Sequence, residues 1–214
     1  MQIPELRKAL ADIAMSRGLL LLGINVYDMQ TMVFKTPVNS LADMNGRRMR
    51  VLATESEQAM IKALGGSPVP MSLPEVLPAL QQGTLDGATA VLGVYVAFRY
   101  YDVTPNLVDS HLWPVISLSF VSRAFHSRLP PDLQKIVMDT GPKVEAEINK
   151  WQINRLITEM DTWKSKGGKV ATFSPADQED ARRRATAAIQ PILEKDASLK
   201  QFYDLVKASA DKVK

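Results

Sequence analysis

The segment GRRMRVLATESEQAMIKALGGSPVPMSLPEVLPALQQGTLDGATA, residues 46–90, constrains the fold more than any other part of the chain. Arg48 to Ala53 alternates with period two, so Met49 and Val51 fall on one face of a predicted strand and Arg48, Arg50 and Leu52 on the other. Thr54-Glu-Ser-Glu57 has capping-box spacing, in which a hydroxyl and a carboxylate three residues apart satisfy each other's backbone N–H groups, and Gly65-Gly66 ends the helix. Ser67 to Met71 is short and extended, with Pro68 and Pro70 suited to an edge strand. Ser72-Leu-Pro-Glu75 is a second capping box, whose helix stops at Gly83, and Thr84 to Thr89 reads as a further short strand or turn around Asp86-Gly87. Strand and helix in alternation predict an α/β class with parallel pairing.

The flanks extend this pattern. Pro4 to Ser16 reads as an amphipathic helix, Leu19 to Val26 as a buried strand, and Thr31 to Phe34 as another strand. Ser40 to Asp43 starts a one-turn helix that Gly46 ends. Val91 to Tyr101 reads as a helix with Tyr95, Phe98 and Tyr101 at helical spacing, and Leu112 to Ser122 is the longest strand candidate. From Pro130 to Gly167-Gly168 the apolar period is helical, with Gly141-Pro142 predicting a kink or a break. Lys169 to Phe173 is a short strand; Ser174-Pro175 caps a helix, and a last helix begins near Ala197.

The 214 residues suffice for one large domain or two lobes, and 46% apolar content is ordinary for a globular protein. A net charge of +3, spread along the chain, gives no reason to expect nucleic acid. Without cysteine there is no disulfide or thiolate metal site. No window has the apolar length of a membrane helix. The start, MQIPELRKALADIAMSRG, lacks a continuous apolar core and carries Glu5 and Asp12, so it does not read as a signal peptide.

Few residues suggest chemistry. His111 and His126 stand outside any metal or nucleophile motif and read as structural or surface residues. Asp86 beside Gly87 reads as a turn, Arg182-Arg183-Arg184 as a solvated face, and the tyrosines of 95–101 as a packed face with ligand stacking as the alternative. Arg47 and Arg48 fall at the turn and read as solvated. Arg50 lies mid-strand, where a planar guanidinium is suited to gripping a carboxylate with two parallel bonds. With no acid–base pair or nucleophile constellation, an enzyme is not expected, and no cofactor is implied.

The chain resembles the extracytoplasmic solute-binding proteins of tripartite ATP-independent periplasmic (TRAP) transporters, the DctP type. The resemblance rests on Ser40-Leu-Ala-Asp-Met-Asn-Gly46, Arg50-Val51, Ala63-Leu64-Gly65, Pro68-Val69-Pro70-Met71, Glu75-Val76, Ala79-Leu80-Gln81, Gly83, Asp86-Gly87 and Leu129-Pro-Pro-Asp-Leu-Gln134. It implies an α/β, two-lobe periplasmic-binding-protein-like fold with a long kinked connecting helix, closing on an organic acid, periplasmic, with TRAP membrane permease subunits as partners. The family's carboxylate-binding arginine falls on Arg50. The ligand-contact positions implied are Arg50, Gln30, Leu73, Thr89, Ala90 and Trp113. A second family arginine falls near Gln30, a contact asparagine on Ala90, and a ligand-facing aromatic on Leu73. These departures imply a more apolar pocket and a monocarboxylate with a hydrophobic body. Family members also carry a signal peptide and a further βαβ portion ahead of the place matched by Met1. That implies an incomplete N-terminal lobe made of residues 1–27 and 116–155, and a second lobe made of 28–115 and 156–209. Self-association through the incomplete lobe is expected, and the alternative is a truncated signalling or interaction module, or a non-functional relic, that traps no ligand.

Overall fold

The structure, a computed structural model, describes residues 4–211; the reading of Met1 lies outside them. In chain order the elements are α1 (Pro4–Ser16), β1 (Leu19–Met29), β2 (Thr31–Phe34), a 3-10 turn (Leu41–Met44), β3 (Arg48–Val51), α2 (Glu55–Ala63), β4 (Ser67–Pro70), α3 (Leu73–Gln82), β5 (Gly87–Ala90) and α4 (Leu92–Ala97). A 3-10 turn (Tyr100–Asp102), β6 (Asn106–Val108), β7 (Pro114–Ser122), α5 (Arg123–His126), α6 (Pro131–Ser165), β8 (Lys169–Ala171), α7 (Pro175–Leu193) and α8 (Ala197–Asp211) complete it. Two compact units are interleaved in sequence: the first takes Met1–Tyr27, Ile116–Asn154 and Leu193–Lys214, the second Asp28–Val115 and Arg155–Ile192.

The second unit holds a six-stranded sheet in the order β4-β3-β5-β2-β6-β8. β3 runs parallel to β4 and β5, as the strand–helix alternation requires, and β6 runs parallel to β8. β2, which lies outside the 46–90 alternation, is antiparallel to both β5 and β6. Neither β2–β5 nor β2–β6 is a direct strand–helix–strand unit, so no single helical crossover imposes a parallel direction on those pairs.

Both faces of this sheet are covered. Met32, Phe34, Met49, Val51 and Val108 pack with Ile61, Leu64 and Phe173 in one cluster. Val33, Ala88 and Leu107 pack with Val76, Leu80, Tyr95, Tyr100 and Trp163 in the other. Adjacent residues of β2 and β6 therefore enter opposite clusters, as period-two geometry demands. Trp163 is fully buried beside Tyr95 and Tyr101, with ring centroids 6.3 and 6.1 Å away, and its indole N–H donates to the Lys169 carbonyl at 3.2 Å. α4 is shorter than predicted: Arg99 has φ 57°, which breaks the helix before Tyr100, and Phe98 is left exposed while Tyr95 and Tyr100 are buried.

In the first unit, β1 pairs with β7. Arg7 of α1 binds Glu145 of α6 at 2.7 Å, and Asn149 of α6 accepts from the Val26 N–H at 3.2 Å. Helix α6 is continuous over 35 residues, so of the two outcomes foreseen at Gly141-Pro142 the break is absent. Gly141 is required there by contact: a Cβ at this position would lie 2.5 Å from the Leu22 carbonyl oxygen. The sequence division assigned 156–209 to the second lobe, but α8 belongs to the first unit. Phe202 and Leu205 of α8 line a small cavity with Ala9 and Ile13 of α1, an apolar pairing between opposite ends of the chain.

Candidate functional site

The candidate site is built around Arg50. On β3 its side chain points away from Met49 and Val51, toward the face that carries the Tyr95–Trp163 cluster. Because that face is covered too, Arg50 is only 4% exposed. Its Nε donates to the Met71 carbonyl and its Nη1 to the Thr89 carbonyl, each at 3.0 Å. No carboxylate of the described residues forms an ion pair with it. A buried guanidinium with two neutral acceptors and no counter-ion retains donors for an anion, and burying an uncompensated charge is costly.

The first turn of α2 supplies the second buried charge. Thr54 accepts from the Glu57 N–H at 3.3 Å, which is half of the predicted capping box. The other half is missing, because the Glu57 carboxylate turns inward and is 5% exposed. Its Oε2 accepts from the Leu52 N–H at 2.8 Å, and its Oε1 from Gln30 Nε2 at 2.9 Å and Thr89 Oγ1 at 2.6 Å. The capping boxes of Ser40 with Asp43 and of Ser72 with Glu75 are both complete, so this withdrawal is particular to α2.

The remaining sequence candidates are distributed around this pair. One N–H of the Gln30 side-chain amide donates to Glu57, and the backbone N–H of Gln30 donates to the Trp113 carbonyl at 2.9 Å. Thr89 is fully buried and contacts both charges, Arg50 through its carbonyl and Glu57 through its hydroxyl. Leu73, at the start of α3, and Ala90, at the end of β5, are partly buried against the Tyr95 cluster, whereas Trp113 is partly buried against the Met49 cluster. The Tyr95 hydroxyl lies 2.9 Å from the Ala88 carbonyl and 3.1 Å from that of Thr31; burial pushes its pKa far up, which keeps it a neutral donor. Sequence reasoning assigned Glu57 to the helix end and missed it as a site residue.

Arg48 is solvent-exposed, as read, and is also clamped. Its Nη2 and Nε bind the two carboxylate oxygens of Asp86 at 2.7 and 2.9 Å, and its own N–H donates to Asp86 at 2.8 Å. Hydrogen bonding from Arg48 holds the Asp86 pKa down to about 2. The clamp fixes the start of β3 against the turn before β5, and so sets the register in which Arg50 lies opposite Ala88. A second buried cluster lies in the same unit. Arg155 and Glu159 of α6 pair at 2.6 Å, and burial raises the pKa values of Glu159 and Asp28 despite the nearby Arg155 guanidinium.

A family model described as bacterial extracellular solute-binding protein, family 7 (DctP), matches residues 4–196. The chain belongs to this family. Among DctP relatives, the uncharacterized protein YiiZ of Salmonella typhimurium is 28% identical over 195 residues, 86% of this chain and 55% of YiiZ. A TRAP periplasmic solute binding protein from Sulfitobacter sp., solved with bound β-D-galacturonate, superposes with a TM-score of 0.86 at 20% identity, covering 94% of this chain and 66% of that one. A second, from Desulfovibrio salexigens with bound orotic acid, gives 0.87 at 21% identity, covering 98% and 68%. At these identities the solved structures show the fold, which is that of TRAP periplasmic solute binding proteins. The chain spans about half the length of YiiZ and about two-thirds of the solved proteins. The family consists of binding proteins rather than enzymes.

Proposed function

We propose that this DctP chain serves as the solute-binding component of a TRAP transporter, holding the carboxylate of an organic acid on Arg50 and passing it to the membrane permease subunits from the periplasm. The observation that carries the reading is the buried guanidinium of Arg50, which bonds two carbonyl groups and has no acidic partner among the described residues. Galacturonate and orotic acid, the ligands of the two related structures, both carry a carboxylate. Leu73 and Ala90 offer no polar side chain, and the Gln30 amide is engaged by Glu57, so the ligand body that suits these positions is apolar. The ligand class is therefore a monocarboxylate with a branched or aromatic body. Titration calorimetry against α-ketoisocaproate, phenylpyruvate, succinate and galacturonate tests this. Tighter binding of the first two supports it, and tighter binding of succinate or galacturonate sinks the apolar-monocarboxylate reading.

A second reading, an interaction module without ligand trapping, is favoured by one observation. Ile116 and Phe120 of β7, Phe125 of α5 and Ile136 and Val144 of α6 are exposed apolar side chains of the first unit. Self-association through these exposed apolar side chains is the expected consequence. A monodisperse monomer in light scattering, together with ligand-linked stabilisation, removes this second reading.

A further inference from the structure

Glu57 is a buried carboxylate that the binding reading leaves without a task. It is separated from Arg50 by a single residue: Thr89 gives its carbonyl to Arg50 Nη1 at 3.0 Å and its hydroxyl to Glu57 Oε1 at 2.6 Å. The two opposite charges do not form an ion pair, yet they share one water-poor environment, since each is at least 95% buried. All three donors to Glu57 are neutral groups, those of Gln30, Thr89 and Leu52. In the absence of ligand the local charge of the two side chains sums to zero.

We infer that Glu57 and Gln30 form a charge filter that restricts Arg50 to ligands bearing one carboxylate. This deepens the proposed function and rests on it. The first carboxylate of a ligand consumes the guanidinium of Arg50. A second carboxylate finds no cation: one N–H of the Gln30 amide is held by Glu57, and the Glu57 carboxylate repels a further anion with little screening from the protein interior. Specificity then comes from a repulsive element as much as from an attractive one. Glu57 is held by donors from three places, after β1, after β3 and on β5, so it cannot swing away from the site without stranding them.

The test uses two anions on one framework, α-ketoisocaproate with a single carboxylate and α-ketoglutarate with a second carboxylate in place of the branched end. Calorimetric affinities are measured for the wild type, Glu57→Gln and Gln30→Lys. The second variant supplies a cation that neutralises Glu57, and it keeps the test open should the first not fold. The expected result is a shift of the affinity ratio toward α-ketoglutarate, by about tenfold or more in Gln30→Lys and by a smaller factor in Glu57→Gln. Folded variants with an unchanged ratio, or with both affinities reduced equally, overturn the filter and leave Glu57 a structural carboxylate. A wild type that binds neither anion overturns the carboxylate-binding reading itself, and the filter with it.

Discussion

Replacing Arg50 by methionine should separate binding from folding. A buried cation pays a desolvation penalty of several kcal/mol, here offset by two charge-assisted hydrogen bonds of about 1.5–3 kcal/mol each and by the Glu57 carboxylate on the far side of Thr89. The 3.0 Å bonds to Met71 and Thr89 are the ones lost. Those opposing contributions are of similar size, so the ligand-free Arg50→Met protein should stay within about 2 kcal/mol of wild type. Binding should respond differently, because the ligand carboxylate loses its only cation, a loss of about 2–5 kcal/mol of affinity. Thermal melts with increasing α-ketoisocaproate read both quantities. At a hundred times the dissociation constant the wild type gains about 2.7 kcal/mol, which is about 5–10 °C in Tm for a chain of this size. Arg50→Met should gain almost nothing. The reasoning is refuted if the variant keeps the ligand-induced shift, or if its ligand-free stability falls by more than about 4 kcal/mol, since Arg50 would then be a structural cation.

Three further outcomes follow from particular contacts. Gly87→Ala should cost at least about 2 kcal/mol in a urea titration, because the added Cβ would lie 2.5 Å from the Val33 carbonyl oxygen and 2.8 Å from Met49 Sδ. Asp86 is depressed from 3.8 to about 2, so its clamp on Arg48 contributes above its ordinary value and is lost as the pH falls toward about 2. Asp86→Asn should be less stable than wild type at neutral pH, and an acid titration should show the difference closing in that window. Asp28 and Glu159 are shifted the other way, so their contribution is present below their ordinary values of 3.8 and 4.5 and is lost as the pH rises through the raised ones. Glu159→Gln should therefore raise the urea midpoint at neutral pH relative to wild type, with the advantage shrinking on mild acidification.

The strand–helix order of 46–90 was legible because each element there carries its own punctuation, from the period-two alternation of Arg48 to Val51 to the Gly83 stop. Arg50 was legible as a ligand candidate from its mid-strand position and from the family resemblance, whereas the covering of both sheet faces that buries it came only with the fold. Glu57 was not, since an acid three residues after Thr54 satisfies the capping pattern equally well whether its carboxylate closes the helix or turns into the core. The exposure of Arg48 was legible, but its pairing with Asp86 was not, because the two lie 38 residues apart, beyond any local pattern. The antiparallel β2 and the docking of α8 on α1 depend on contacts between distant segments, which periodicity does not encode.

The interleaving of the two units has a consequence for the order in which the chain can acquire its structure. Strand β6 is complete at Val108, but its parallel partner β8 begins at Lys169, after all of α6. A chain emerging from the ribosome therefore holds one side of β6 unpaired while the whole of α6 is synthesised. The second unit closes its sheet late, and neither unit can be released by a single proteolytic cut. Such long-range pairing slows folding and prolongs an open-edged intermediate.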